Sequence, residues 1–470
     1  MTTPGGAVSS HDTRPSGGVL PDVPPDRRRS GGRRRSGWVI TLVGAAVLGV
    51  ALGRFVMAGS TSTPPVPAAA RTTDRSTQGQ VDSLQARLRA TPDDAGLLAD
   101  LGVAYLSRAK ETADPTWYTK AGEALDRGSA LDANNIRILT AQGLLALSRH
   151  DFATALELGT RAHALAPSSA DPFGIVVDAH VELGQYPEAA AAAQEMVDRR
   201  PSLASLARIS YVRELTGDHA GATTAMAQAV VAGSGSADDV AYVQALLGDL
   251  RLGAGDLDAA DAAYVRATDT EAGYAAAEVG RAKVAAARGD LAGAAARLEP
   301  VVNRLPNPAW VALLGDIDTA LGRNGDASAQ YGLVRQIEQL NQANGVAVDF
   351  ELAHFEADHA ADPGADPAAT VSTARAALGR RPTVFAEDTM GWALRQAGRP
   401  AEALDHARAA VRLGTGDALL WWHLARTEAD LGMGDDARRD LGTAFSVNRY
   451  LSVRDLPPAR ALAAELGMPS

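Results

Sequence analysis

Small and apolar residues recur along most of this chain at helical spacing, and the whole pattern repeats with a period of 34 residues. Pairs at this distance include Ala155 and Ala189, Pro167 and Pro201, Gly255 and Gly289, and Gly398 and Gly432. A period of this length predicts an all-α solenoid, in which each helix-turn-helix unit packs mainly against its neighbours. Because such a protein works through an extended surface, we expect function on a surface and not in a catalytic pocket.

The segment from 134 to 167 shows the unit most plainly. Gly143 and Ala155 are expected where its two helices cross, with Phe152 in the gap between them and Ala162 against the next unit. A proline at the end, Pro167, stops the second helix.

The same register continues, with drift, through about ten units. An overlong second helix from 327 to 340 and an insertion near 362–364 predict an irregular stretch in the later units. A short amphipathic segment that begins near Val81 is expected to cap the first unit.

These units resemble the tetratricopeptide repeat over residues 80–450, and the resemblance implies a right-handed α-solenoid of about ten units. It also implies a non-enzymatic scaffold that binds proteins or peptides in a concave groove lined by the first helix of each unit. Carried over position by position, it places these residues in the groove: Asp178, Glu182, Tyr211, Glu214, Tyr242, Asp249, Asp316, Asp388, Trp392, Arg395, Trp422 and Arg426. The acidic middle of this set favours basic segments as partners.

The N-terminal region departs from the repeats. Residues 1–37 are rich in Gly, Pro, Ser and Arg, which predicts a disordered basic tail. Residues 38–58 are apolar apart from Arg54 and are long enough for a transmembrane helix that acts as a signal anchor. Residues 59–79 predict a linker, and 451–470 a C-terminal capping segment. The arginines before residue 38 predict a single-pass protein of the cell membrane, with a cytoplasmic N-terminus and repeats outside the cytoplasm.

Two features of the apolar segment leave alternatives open. The small residues of Val56-Met57-Ala58 would suit cleavage of a signal peptide. The product would be a secreted or periplasmic repeat protein that binds a carbohydrate or other polymer through Trp392 and Trp422. Separately, a stripe of small residues would let two membrane helices approach as a homodimer. The stripe consists of Ala45, Gly49 and Gly53.

Composition and charge exclude some kinds of chemistry and argue against one class of partner. The 470 residues carry a formal net charge of −11 and include no cysteine, which excludes disulfides and thiolate chemistry. Since the arginine-rich residues 1–37 are basic, the repeats are more acidic than the total suggests. This balance argues against nucleic acid as a partner of the folded part.

Motifs of catalytic chemistry are missing from the chain. None of the three lysines follows a glycine, so a P-loop is absent, and neither H-E-x-x-H nor G-x-S-x-G occurs. We therefore expect no enzyme and no cofactor. One local cluster, His354, Asp358 and His359, has the spacing of metal ligands on a helix and leaves a metal-dependent enzyme as a third hypothesis. An ordinary solvated helix face, with His354 paired to a carboxylate, is the favoured interpretation of that cluster.

Overall fold

The computed structural model describes residues 76–169, 171–233 and 237–468 of the chain. The expected basic tail, the transmembrane segment 38–58 with its cleavage site and small-residue stripe, and most of the linker lie outside these residues. Within the described ranges, no helix has both the length and the hydropathy needed to cross a membrane.

The described part is built from 22 α-helices, most of them paired in antiparallel hairpins. We number the hairpins 1–10 and call the first helix of each inner and the second outer. The inner helices are α2 (Ala95–Thr112), α4 (Ile136–Ser148), α6 (Asp171–Glu182), α8 (Leu203–Leu215), α10 (Ala237–Gly253), α12 (Ala275–Ala287), α14 (Pro308–Ala320), α16 (Asp349–Asp358), α18 (Val384–Gln396) and α20 (Ala418–Asp430).

The outer helices follow them in alternation along the chain. They are α3 (Thr116–Leu131), α5 (Phe152–Leu165), α7 (Tyr186–Arg199), α9 (His219–Ala232), α11 (Leu257–Thr270), α13 (Leu291–Arg304), α15 (Asn324–Ala343), α17 (Pro367–Arg380), α19 (Pro400–Ala410) and α21 (Gly434–Val447). One further helix stands at each end, α1 (Thr77–Ala90) and α22 (Leu456–Glu465). The prediction of an all-α array of about ten helix-turn-helix units is thereby confirmed.

The turn inside a hairpin has a recurrent chemistry. A glycine with positive φ ends the inner helix, and the aspartate after it accepts a hydrogen bond from a backbone N–H of the outer helix. Only glycine adopts this left-handed conformation without strain, and aspartate is a strong N-cap. The pairs are Gly217-Asp218, Gly255-Asp256 and Gly289-Asp290.

Small residues and aromatic rings interlock where helices cross. The ring of Tyr264 fills the space beside Gly248 and Gly280, where a Cβ atom would collide with it. The predicted packing residues Phe152 and Ala155 are buried. Gly143, however, faces Ile175 of the following hairpin more closely than it faces its own outer helix, so it serves contact between units.

Hairpins 7 and 8 depart from the regular pattern. Helix α15 has 20 residues, whereas α16 has 10. A bidentate ion pair joins the two helices, with the guanidinium of Arg335 donating to both oxygens of Glu356 at 2.7 and 3.0 Å. The predicted overlong helix is confirmed, and the side-chain pair maintains the connection there.

Residues almost 200 positions apart meet along one line of the molecule. The Val384 N–H donates to the Tyr186 hydroxyl at 2.8 Å, and Asn448 Nδ2 donates to the Leu252 carbonyl at 2.9 Å. These separations are 198 and 196 residues, close to six repeat periods. The superhelix therefore completes a turn in about six hairpins, and its second turn packs directly on its first.

We call this line of contacts the seam. It joins turns within hairpins 2–5 to loops between later hairpins. The turns are at 149–150, 184–186, 217–219 and 252–255, and the loops are at 345–351, 381–384, 414–417 and 448.

Candidate binding surface

The inner helices are far more enclosed than the outer helices. Inner helix α8 buries eleven of its thirteen residues, which occupy all of its faces. Outer helix α9 buries four of fourteen, and these form one stripe. An inner helix packs against its own outer helix and against the helices of the neighbouring hairpins on both sides, which leaves little of its surface to solvent.

Seven of the residues predicted to be exposed in a groove are buried, so the expected exposure is wrong for them. They are Asp178, Glu182, Tyr211, Tyr242, Asp388, Trp392 and Trp422. The other five keep part of their surface in contact with solvent: Glu214, Asp249, Asp316, Arg395 and Arg426. Contact of any of these residues with a partner stays a prediction.

Asp178 of α6 forms a buried ion pair with Arg208 of α8. The guanidinium donates from Nε to Oδ1 at 2.8 Å and from Nη2 to Oδ2 at 2.6 Å. Burial raises the pKa of Asp178, an effect that Arg208 opposes. This bidentate pair fixes the arrangement of two consecutive inner helices.

Glu182, at the end of α6, belongs to a buried charged cluster at the seam. Arg381 donates from Nε to Glu182 at 2.5 Å and from Nη1 to Glu351 at 3.1 Å. His150 Nδ1 lies 3.6 Å from the other oxygen of Glu351. Burial raises the pKa of Glu182, while Arg381 acts in the opposite direction. One arginine thus neutralises two carboxylates that come from hairpins 3 and 8.

Asp249 and Asp316 occupy equivalent places on α10 and α14. In each hairpin a tyrosine of the outer helix donates its hydroxyl proton to the aspartate, from Tyr264 at 2.7 Å and from Tyr331 at 3.0 Å. His359 Nε2 lies 3.2 Å from Asp316. Burial is the largest single influence on the pKa of His359 and lowers it, but the hydrogen bond and charge of Asp316, together with the Phe355 carbonyl, leave the pKa raised.

Both predicted groove tryptophans are used inside the fold. Trp392 donates from Nε1 to Asp358 at 3.1 Å, and its ring stacks on His423 with centroids 4.0 Å apart. Trp422 is 1% exposed and donates from Nε1 to Asp455 at 3.2 Å. Neither ring offers an open face for a sugar, so the geometry gives no support to carbohydrate binding through these side chains.

Asp388, another buried member of the predicted set, lies on α18 and contacts the next inner helix. Its carboxylate oxygens are 2.9 and 3.0 Å from Nδ1 of His423. Burial lowers the pKa of His423, but Asp388 more than offsets this and the pKa is raised. The pair is therefore an internal contact between α18 and α20.

The two predicted groove arginines share one acceptor. Arg395 Nε donates to Asp430 at 2.7 Å, and Arg426 Nη2 lies 2.9 Å from its other oxygen. The three side chains remain partly exposed. Such exposed pairs contribute little stability, so this end of the inner surface is polar but locally neutralised.

The expected metal-ligand cluster has a different organisation. His354 Nε2 lies 3.5 Å from Asp358, whereas His359 turns towards Asp316 and the Phe355 carbonyl. Burial alone raises the pKa of Asp358, but Arg454 and His354 bring it down to about 2. In the part of the chain that is described, no three potential ligands converge as a metal site requires.

Glu214 and Asp417 form no ion pair with an arginine or lysine among the described residues. Glu214 lies in the last turn of α8, and among the described residues its carboxylate forms no hydrogen bond or ion pair. Asp417 is the N-cap of α20 and accepts from the Leu419 N–H at 2.9 Å. The seam brings the loop before α20 against the turn after α8, since Gly217 contacts the Gly414 carbonyl.

Sequence reasoning missed three residues that decide the charge of this surface: Arg381, Arg454 and Asp417. Two lie in segments between helices and one in the C-terminal segment, where the repeat pattern assigns no role. A cap signal before α20 would have found Asp417, but its position beside Glu214 depends on the seam.

The similarity to known proteins is confined to solved structures, because no protein-family model and no curated protein matches the chain. One similar structure is the Cut9–Hcn1 hetero-tetramer of the APC/C, at 12% identity over 83% of this chain and 93% of that chain, with a TM-score of 0.38. A tetratricopeptide repeat protein from Parabacteroides merdae is 16% identical over 52% of this chain and 98% of its own, also with a TM-score of 0.38.

A third similar structure is YrrB, described as a TPR protein with an unusual peptide-binding site. It is 17% identical over 39% of this chain and 93% of its own, with a TM-score of 0.27. We base no argument about function on these likenesses. The chain's own ten hairpins, with their capped glycine turns and small residues at the helix crossings, make its folded part an α-solenoid of helix-turn-helix units that resembles the tetratricopeptide repeat.

Proposed function

We propose that this protein is a non-enzymatic scaffold that binds an extended segment of a partner protein along its inner helices. In this proposal residues 38–58 anchor the scaffold in the membrane, so that the bound partner is held there. A membrane anchor raises the local concentration of the repeats and strengthens binding without any new contact.

The observation that carries the proposal is a run of partly exposed charged side chains on consecutive inner helices. Glu214 on α8, Asp249 on α10, Lys283 on α12 and Asp316 on α14 all retain contact with solvent. Three of these residues come directly after the small packing residue of their helix in the sequence: Asp249, Lys283 and Asp316. An extended segment that runs across these helices would meet one charged group per hairpin.

Site-specific photo-crosslinking in membranes tests this function. A photoreactive residue at Lys283, exposed on inner helix α12, is compared with one at Glu188, exposed on outer helix α7. Both positions are solvent-exposed helix sites, so the two differ mainly in whether they lie on an inner or an outer helix.

The expected result is a discrete covalent adduct with another protein from position 283 and none from position 188. Adducts from position 188 alone, or from neither position, would refute binding along the inner helices. Extraction of the protein by alkaline carbonate, which removes peripheral proteins, would refute the anchor independently.

A further inference from the structure

Three partly exposed carboxylates meet where the seam crosses the inner surface. We call them the acidic crevice: Glu214 on α8, Asp249 on α10 and Asp417 at the start of α20. Contacts at the seam hold the elements together, because Gly217 abuts Gly414 and His219 abuts Gly416. The crevice therefore draws on hairpins 4, 5 and 10.

A buried hydroxyl one helical turn before Glu214 also lacks a partner. Tyr211 is 5% exposed, and its hydroxyl has no hydrogen-bond partner among the described residues. Tyr211 and Glu214 are three residues apart on α8 and share a helix face. An unsatisfied buried hydroxyl destabilises the fold unless something supplies its hydrogen bond. The hydroxyl oxygen and the carboxylate are both acceptors that await a donor.

The local electrostatics disfavour charge on these carboxylates. Burial, Asp417 and Asp249 together raise the pKa of Glu214 to about 8, and burial is the main reason that the pKa of Asp417 is raised to about 6. Glu214 also lies at the C-terminal end of α8, where the helix dipole repels a negative charge. Each of these effects disfavours the charged carboxylate, and a cation beside it would act in the opposite direction.

Neighbouring cations in the fold are engaged elsewhere. Arg213 donates to the Gly221 carbonyl at 3.3 Å and lies 3.9 Å from Asp218. Lys283 acts on the crevice only through Asp249, whose pKa it lowers against the larger effect of burial. Glu214 is thus the member of the crevice without a nearby cation, whereas the charge of His423 lowers the pKa of Asp417 against the larger effect of burial.

Arginines pair with several other carboxylates of the inner helices. Arg208 contacts Asp178, Arg381 bridges Glu182 and Glu351, and Arg454 lies against Asp358 at 2.5 Å. Arg381 and Arg454 reach their carboxylates from segments distant in sequence. Elsewhere in the fold, therefore, cationic side chains already bind carboxylates of the inner helices.

We propose that the acidic crevice binds a lysine or arginine side chain of the partner segment. This proposal rests on the function proposed above and names the chemistry of that partner. A metal ion fits less well, because its ligands must converge to about 2.0–2.6 Å and no such group exists among the described residues. A long cationic side chain tolerates more widely spaced acceptors.

Peptide binding to the full-length chain in detergent tests the crevice. The probe is a fluorescent peptide of about twelve residues in which lysine alternates with serine, and its control has glutamine in place of lysine. Affinity is measured by fluorescence anisotropy for the wild type, Glu214→Gln and Asp417→Asn. Glu188→Gln, which removes the same charge from outer helix α7, is the matched control.

Each crevice variant is expected to bind the lysine peptide about tenfold more weakly, the value of one charge-assisted hydrogen bond. Glu188→Gln should bind like the wild type, and the glutamine peptide should bind the wild type no better than it binds the variants. Asparagine caps a helix as well as aspartate, so Asp417→Asn retains the start of α20.

Equal affinity of the wild type and both crevice variants for the lysine peptide would overturn the proposal. So would an equal loss in Glu188→Gln, which would indicate unspecific attraction to an acidic protein, or an absence of binding to the wild type. If adducts still form from position 283 in these cases, the inner surface binds partners by other contacts. The function proposed above then stands, and only the crevice is wrong.

Discussion

Glu214 illustrates how this fold places single ionisable groups where burial and neighbouring charge oppose ionisation. Its raised pKa means that folding takes up a proton between the unfolded pKa of 4.5 and the folded value of about 8. Because the unfolded state has already released that proton, Glu214 destabilises the fold increasingly as the pH rises through this window.

We expect Glu214→Gln to stabilise the protein at alkaline pH. Urea unfolding should show little difference from the wild type near about pH 5 and a gain on the order of 2 kcal/mol near about pH 9. This figure is lower than the full shift implies, since water reaches part of the side chain. A gain that does not depend on pH would show that Glu214 is not buried beside other carboxylates.

The buried glutamates around Arg381 already have a cation, so we expect its removal to destabilise the protein. Arg381→Met leaves Glu182 and Glu351 buried without a cation, so unfolding should become easier by about 3–5 kcal/mol. Replacement of both glutamates by glutamine in the same chain should restore much of this loss. Arg399→Met, which breaks an exposed ion pair with Glu402, should leave the free energy of unfolding almost unchanged, because solvent screens such a pair.

A loss in Arg381→Met no larger than that in Arg399→Met would contradict the buried cluster. Equilibrium unfolding in urea, monitored by circular dichroism, measures all of these variants. Since a repeat array can unfold in several steps, the comparison uses the transition that the wild type and the variants share.

The sequence predicts residues well where their surroundings lie within one hairpin or its neighbour. Phe152, Ala155 and Ala162 are buried as expected, because the repeat pattern reports local packing. The partners of Glu182 and Trp422 could not be predicted in this way. Arg381 lies 199 residues after Glu182, and Asp455 belongs to the C-terminal segment, for which the repeats give no register.

At the scale of elements, the turns within hairpins have two structural roles. Their glycines adopt positive φ to end the inner helix, and those at the seam also leave room for a loop of the next superhelical turn. Gly184 has φ 67° and lies against the Pro382 carbonyl, whereas Gly289 has φ 86° and has no atom near the position of a Cβ. Substitution of Gly289 would therefore introduce backbone strain alone, whereas substitution of Gly184 would introduce strain and also disturb contact at the seam.

Gly184→Ala should destabilise the protein more than Gly289→Ala. Both variants suffer the strain of a left-handed alanine, which costs about 1 kcal/mol, but only Gly184→Ala also displaces the loop at Pro382. We expect a total of about 3 kcal/mol or more for it in urea unfolding. Equal losses in the two variants would mean that the turn at 184 is free of the loop.

The elements themselves are largely predictable from the chain. Glycine-aspartate turns, alanines at the crossings and prolines near helix ends all act within about 34 residues, so they specify helices and hairpins. The overlong α15 is visible in the sequence for the same reason. The contacts that compensate for it, such as Arg335 with Glu356, depend on side-chain geometry that the pattern does not specify.

At the scale of the whole molecule, the decisive feature is the closure of the superhelix on itself. The pitch of a solenoid is the sum of small rotations between neighbouring units, and no single residue specifies it. A repeat pattern therefore predicts inner and outer helices but not whether the inner helices remain open. Here neighbouring inner helices bury most of the predicted groove residues, as Arg208 buries Asp178 and His423 buries Asp388, while Glu182 is buried across the seam by Arg381.

Chemical crosslinking tests this closure directly, because the natural chain has no cysteine to interfere. Thr119 and Asn344 are 225 residues apart, yet their side-chain oxygens lie 3.4 Å from each other across the two turns. With cysteines at these two positions, a short bismaleimide should link them rapidly within one molecule. A pair at Thr119 and Ser328 is the control, since Ser328 lies about 24 Å further along α15 from Asn344 and should not react. Equal linkage of both pairs, or none in the first, would contradict the closed superhelix.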